Sequence, residues 1–144
     1  MKTREQILAL MAKMSIHEKL ACLNRSKSFL VGRWGDMPQY GVQGVSCGDT
    51  PSATDHLYHT DEERADTFHV TSLPNGAILG STWNVKYAYL AGRTSAKDMR
   101  AGGRDVTYRP SLNIKRSPLC GRNHEYFSED PLLSGEMAAA YVKG

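Results

Sequence analysis

An α/β fold is predicted for this chain of 144 residues, on three observations. Two capped amphipathic segments open the chain, glycine-flanked β-like runs follow, and long helical periods with strong start or stop signals alternate with those runs. The composition fits a folded domain, since 40% of residues are hydrophobic and 23% are charged, which argues against wholesale disorder.

The elements follow in order. Thr3-Arg4-Glu5-Gln6 is a capping box, in which a hydroxyl and an amide side chain satisfy each other's backbone donors. It predicts a helix near 4–13, with Ile7, Leu8, Leu10, Met11 and Met14 as its apolar face. Ser15-Ile16-His17-Glu18 repeats the device and predicts a second helix near 16–23. Residues 24–40 are polar and punctuated by Gly and Pro, and read as a loop. Gly41 to Asp49 reads as a short β-like run that ends on a carboxylate. From Thr50 to His69 the chain is polar and reads as a surface excursion, with one helical turn around Asp61–Ala65. Gly76-Ala77-Ile78-Leu79-Gly80 reads as a second short strand. Asn84 caps a helix that runs to about Arg100 and stops at Gly102-Gly103. Asp105 to Ile114 is a third extended segment, bent at Pro110. Lys115 to Glu129 is turn-rich, and Asp130-Pro131 then supplies an N-cap and a first-turn proline. Leu133, Met137, Ala140 and Tyr141 keep the helical period to the end.

Charge and composition narrow the function classes. Eighteen Lys and Arg against fifteen Asp and Glu leave a net charge of +3, too little to argue for nucleic acid. No apolar run reaches the length of a membrane span. The N-terminus lacks the pattern of a secretory signal, so a cytoplasmic location is expected, with neither nucleic acid nor membrane as partner. Cys22, Cys47 and Cys120 are odd in number and widely spaced, and read as free thiols. A nucleophilic role for Cys47 has no histidine placed beside it in the sequence.

The densest polar constellation runs from Asn113 to Pro131, directly after a candidate strand. Ligands of α/β folds gather at such strand ends. There Arg122 offers a rigid fork of donors to sugar hydroxyls or a carboxylate. The competing reading is an ion-pair cluster that holds the loop, with Glu125 or Glu129 satisfying Arg116 or Arg122. A second candidate is a metal site at His56 and His59, completed by Asp61 or His69, against the plainer reading of a solvated loop. No cofactor is expected.

The stretch from Asn113 to Pro131 closely resembles the signature loop of glycoside hydrolase family 3, N-I-x-R-x-P-x-x-G-R-N-F-E-Y-F-S-E-D-P, with His124 in place of an aromatic residue. Ser15-Ile16-His17-Glu18-Lys19-Leu20 resembles the family's N-terminal helix, and Ser72-Leu73-Pro74-Asn75-Gly76 with Ser81-Thr82-Trp83-Asn84 resembles "F-P-N-G…A-T-W-N". The resemblance implies the N-terminal portion of a TIM-like (β/α)8 barrel, with a helical lead-in at 1–23 and a barrel portion at 41–144. It implies a β-glucosidase-like hydrolase acting on a β-glucoside or related oligosaccharide. By the same resemblance Asp49 and Arg122 bind the terminal sugar, and Arg116 occupies a recurrent basic position of the motif. Trp83 is expected in a core or a cap, and Tyr126 and Phe127 beneath the loop.

The chain departs from the pattern at two places. Where the family has D-G-P-x-G-x-R, this sequence has Asp49-Thr50-Pro51-Ser52-Ala53-Thr54-Asp55. Tyr108-Arg109-Pro110-Ser111 replaces an apolar strand and a P-G turn. A closed (β/α)8 barrel takes about 250 residues, so an incomplete barrel is expected, with an unpaired edge prone to self-association. The resemblance places the nucleophile and the acid/base of a retaining glycosidase beyond residue 144. Glu125 and Glu129 are not that pair, because they precede a helix start where negative charge is favoured without any catalytic role. These 144 residues are therefore expected to be inert by themselves.

Overall fold

The computed structural model describes residues 2–23, 33–48 and 70–144. Asp49, the histidines at 56, 59 and 69, and the predicted turn at 61–65 lie outside the described residues. The chain divides into two units, Met1–Cys47 and Gly48–Gly144.

The first unit opens with α1 (Arg4–Lys13) and α2 (Ile16–Leu23), as the caps predict. The Thr3 hydroxyl accepts from the Gln6 amide at 3.3 Å, and the Gln6 side chain accepts from the Thr3 amide at 2.9 Å. At the second cap the Ser15 amide and hydroxyl both donate to Glu18 at 2.8 Å, while the Glu18 amide donates to the Ser15 hydroxyl at 3.2 Å. The predicted apolar face of α1 is not a core, for Ile7, Leu8 and Met11 are exposed and only Met14, just past the helix, is buried. The unit offers little for that face to cover. Its remaining described elements are β1 (Arg33–Trp34), a 3-10 turn (Pro38–Tyr40) and β2 (Val45–Gly48), whose last residue begins the second unit. β1 and β2 pair antiparallel, Arg33 opposite Ser46 and Trp34 opposite Val45.

Glu18 gathers further donors, from the Tyr40 hydroxyl at 3.0 Å and the Gln39 amide group at 3.3 Å. These bonds, the Ser15 amide first, lower its pKa from 4.5 to about 2. A depressed carboxylate pKa gives stability that is present above the unfolded value and lost as pH falls through the folded one. The α2 cap is thus expected to hold above pH 4.5 and to release between pH 4.5 and about 2. The Ser15 amide resonance followed by NMR should titrate in that window, and Glu18→Gln should abolish the response. A midpoint near the ordinary carboxylate value would contradict the assignment.

The second unit holds α3 (Gly76–Ser81), α4 (Val85–Ala101), β3 (Val106–Thr107) and α5 (Pro131–Lys143). Gly76–Gly80, predicted as a strand, is helical. Asn75 caps it by accepting from the Ile78 amide at 3.0 Å, and a run this short carries no periodicity to separate the two states. α4 starts on Asn84 and stops through Gly103 in the left-handed region at φ 67°. There Gly103 N–H donates to Arg100 and Arg104 N–H to Met99, as in a Schellman closure. The predicted extended segment 105–114 contributes only Val106–Thr107 as strand. The Thr107 hydroxyl takes the Arg109 amide at 3.1 Å, and Pro110 has no amide to give.

The core of this unit joins Leu79, Ala88, Ala91, Phe127, Met137, Ala138 and Tyr141. On α5 the buried residues Ser134, Met137, Ala138 and Tyr141 share one face at helical spacing. Ala88, Ala91 and Gly92 give α4 a low face that lets α5 approach closely, and Gly92 sits directly under the Tyr141 carbonyl. Trp83, expected in a core or a cap, is the cap and not core: it is 76% exposed, and from a left-handed backbone at φ 53° its amide donates to Gly80 at the end of α3. No described helix is long and apolar enough to cross a membrane.

Candidate functional site: the Arg122 loop

The segment from Asn113 to Asp130 is an arc of turns held by its own backbone. Cys120 N–H donates to Ser117, Asn123 N–H to Cys120 and Glu125 N–H to Arg122. The Asn123 side chain ties the arc across by donating to the Ser117 carbonyl at 2.7 Å. At its far end Lys115 N–H donates to Ser128 at 3.1 Å. Tyr126 and Phe127 are buried beneath it, as predicted. α3 is pressed against the same stretch, with Gly76 on the Glu125 carbonyl and Gly80 on the Phe127 carbonyl. No side chain larger than hydrogen fits those contacts.

This scaffold presents Arg122. Its Nε donates to Glu125 Oε1, and Glu125 Oε2 accepts from the Ser111 hydroxyl at 2.8 Å. The Arg122 side chain is 70% exposed and that of Glu125 only 13%. Such a pair contributes little stability, about 0–1 kcal/mol for surface pairs, but it fixes where the guanidinium points. The Arg122 bond holds the Glu125 carboxyl below its ordinary pKa against the opposing effect of burial. Both readings of the cluster therefore meet in one geometry: the ion pair exists, and the guanidinium it holds remains mostly exposed.

Arg116 is exposed on the same arc, and Glu129 precedes α5. Asp130 caps α5 by accepting from the Leu132 amide at 2.8 Å. Ser111 is a partner that the sequence reading passed over. The only signal for it was the hydroxyl standing in the Pro-Gly turn position. Cys22 and Cys120 are exposed free thiols, and Cys47 is buried. Among the described residues an apolar cavity of about 310 Å³ runs along Leu73, Ile78, Tyr87 and Leu90, and another of about 250 Å³ lies at Trp83, Lys115 and Glu129. Neither is lined by Arg116 or Arg122.

The loop that carries Arg122 is the stretch that resembles the glycoside hydrolase family 3 signature. Residues 46–144 match the glycosyl hydrolase family 3 N-terminal domain, and the chain belongs to that family. It is 36% identical over 143 residues to beta-glucosidase B of Emericella nidulans, covering 96% of this chain and 16% of that protein. It is also 36% identical over 116 residues to thermostable beta-glucosidase B of Acetivibrio thermocellus, covering 77% and 15%. Among solved structures it resembles beta-glucosidase 3B from Thermotoga neapolitana in complex with glucose, with a TM-score of 0.77 and 30% identity over 95% of this chain and 21% of that one. The beta-glucosidase from Kluyveromyces marxianus in complex with glucose gives 0.76 and 29%, over 96% and 16%. The chain thus spans about a sixth of the length of these curated relatives.

Proposed function

We propose that this chain forms the terminal-sugar grip of a β-glucosidase-type hydrolase, one that releases non-reducing β-linked glycosyl residues with retention once the remainder of the barrel is joined to it. In this reading the described elements are the opening part of a TIM-like barrel. Asp49 and Arg122 hold the glycosyl hydroxyls, and Arg116 lends positive charge beside them. The observation that carries the proposal is the Arg122 fork, oriented by Glu125 at the exposed rim of a loop that matches the family signature. A guanidinium donates to vicinal hydroxyls while a carboxylate accepts from them, and charge-assisted bonds of this kind are the strong ones. Retention needs two carboxyl groups about 5–5.5 Å apart, and the resemblance assigns neither role to a residue within 1–144. A cytoplasmic location and self-association through an unpaired strand edge belong to the same proposal.

Calorimetric titration of the 144-residue chain with glucose or gluconolactone tests it. Binding is expected, and Arg122→Ala should weaken it about tenfold or more, the scale of a lost charged hydrogen bond. Equal affinity in the variant would remove Arg122 from the site. Hydrolysis of a nitrophenyl β-glucoside by this polypeptide, abolished by Asp49→Ala, would overturn the expectation that it is inert.

A further inference from the structure

Trp83 carries an exposed ring on a strained backbone. Its φ of 53° is a region that glycine adopts freely and a bulky residue only at a cost. What it gives the end of α3 is an amide bond to the Gly80 carbonyl, which any residue but proline could supply. Packing does not explain the indole either, since most of the residue is in solvent. The ring lines the cavity of about 250 Å³ that it shares with Lys115 and Glu129. The walls of that cavity are fixed by main-chain contacts. Gly80 rests on the Phe127 carbonyl. The Ser128 carbonyl accepts from Lys115 N–H at 3.1 Å and from the Ser134 hydroxyl at 3.2 Å.

Two opposite charges line this cavity without meeting. Among the described residues, neither the Lys115 ammonium nor the Glu129 carboxylate forms an ion pair or a side-chain hydrogen bond. Left apart, the ammonium has donors to give and the carboxylate has lone pairs to fill. Their charges cancel, so the cavity favours a neutral ligand whose groups both donate and accept. The indole adds a flat apolar surface. A pyranose ring offers both parts, a face of C–H groups for the indole and a rim of hydroxyls for the charges. The volume is near the lower end for ligand pockets and takes one such ring. Because neither Arg116 nor Arg122 lines it, this cavity is not the grip assigned to Arg122.

We propose that the cavity at Trp83, Lys115 and Glu129 is a second saccharide site, in which the indole stacks on one neutral pyranose ring while Glu129 accepts from its hydroxyls and Lys115 donates to them. Fluorescence titration of the full chain with cellobiose tests it. A Trp34→Phe background leaves Trp83 as the one indole emitter, since the chain has two tryptophans. A saturable change in Trp83 emission is expected, and Glu129→Ala should weaken the binding it reports about tenfold or more, the scale of a lost charged hydrogen bond. Arg122→Ala should leave that titration unchanged. Trp83→Gly should melt, without ligand, within about 5 °C of the parent chain, because glycine accepts the same φ and the ring is mostly exposed. A larger fall would make the ring a packing element and overturn the proposal. It would also be overturned by an absent emission change, by a Glu129→Ala midpoint equal to the parent's, or by saturation with the zwitterion glutamine in place of cellobiose. Loss of the emission change in Arg122→Ala would overturn it too, while leaving the Arg122 grip standing.

Discussion

Replacing Met137 with alanine is expected to destabilise the Gly48–Gly144 unit by about 2–5 kcal/mol, the range for removing a buried Met or Leu side chain. Met137 is 0% exposed and is the largest fully buried side chain among the described residues. It projects from the middle of α5 into the cluster formed with Leu79, Ala88, Ala91, Phe127 and Tyr141. Truncation removes its apolar area from the core and leaves a void. The walls are poorly able to close it, because Ala88 and Ala91 have no length to extend. Equilibrium urea unfolding should show the loss as a lower midpoint at unchanged slope. A shift worth less than about 1 kcal/mol would mean that the site collapses freely or that the α4–α5 contact is not the core.

Gly92→Ala is expected to cost about 1–3 kcal/mol, by overpacking rather than by a void. An added Cβ would meet the Tyr141 carbonyl, with the carbonyl carbon 2.8 Å away. The obstacle is backbone, so no rotamer change relieves it and the two helices must part. Because alanine is the better helix former by about 1 kcal/mol, the intrinsic preference runs in the opposite direction. Gly135 in α5 is the control, since nothing lies within 4 Å of its would-be Cβ. Gly135→Ala should therefore be neutral or stabilising. Equal effects at the two positions, read from the same urea curves, would contradict the close approach.

Four helices were legible from sequence because their caps were recognised there and caps are local chemistry, whereas the Asn75 cap of α3 was not read as one. Thr3 with Gln6, Ser15 with Glu18, Asn84 and Asp130 each act over a few residues, and α1, α2, α4 and α5 begin where they predict. α3 was misread because six residues carry no period, and the glycines that seat it answer to partners far along the chain. Gly76 and Gly80 serve the carbonyls of residues 125 and 127, almost fifty positions away, and no local pattern records that. For Trp83 the motif position did not separate core from cap, because it says nothing about the left-handed backbone that places it in the cap.

The site was half legible. The loop motif located Arg122, and composition named Glu125 among its two candidate partners; the structure pairs them and brings in Ser111 from another segment. Asp49 lies outside the described residues, so its part in the site rests on the resemblance alone.

The glycine contacts under the Arg122 loop bear on how this surface tolerates mutation. Gly76 and Gly80 seat α3 on main-chain atoms, so backbone contact sets the loop's height above the helix at those two points. Substitutions at Ala77, Ile78 or Ser81 can change what surrounds the arch without shifting its keystone.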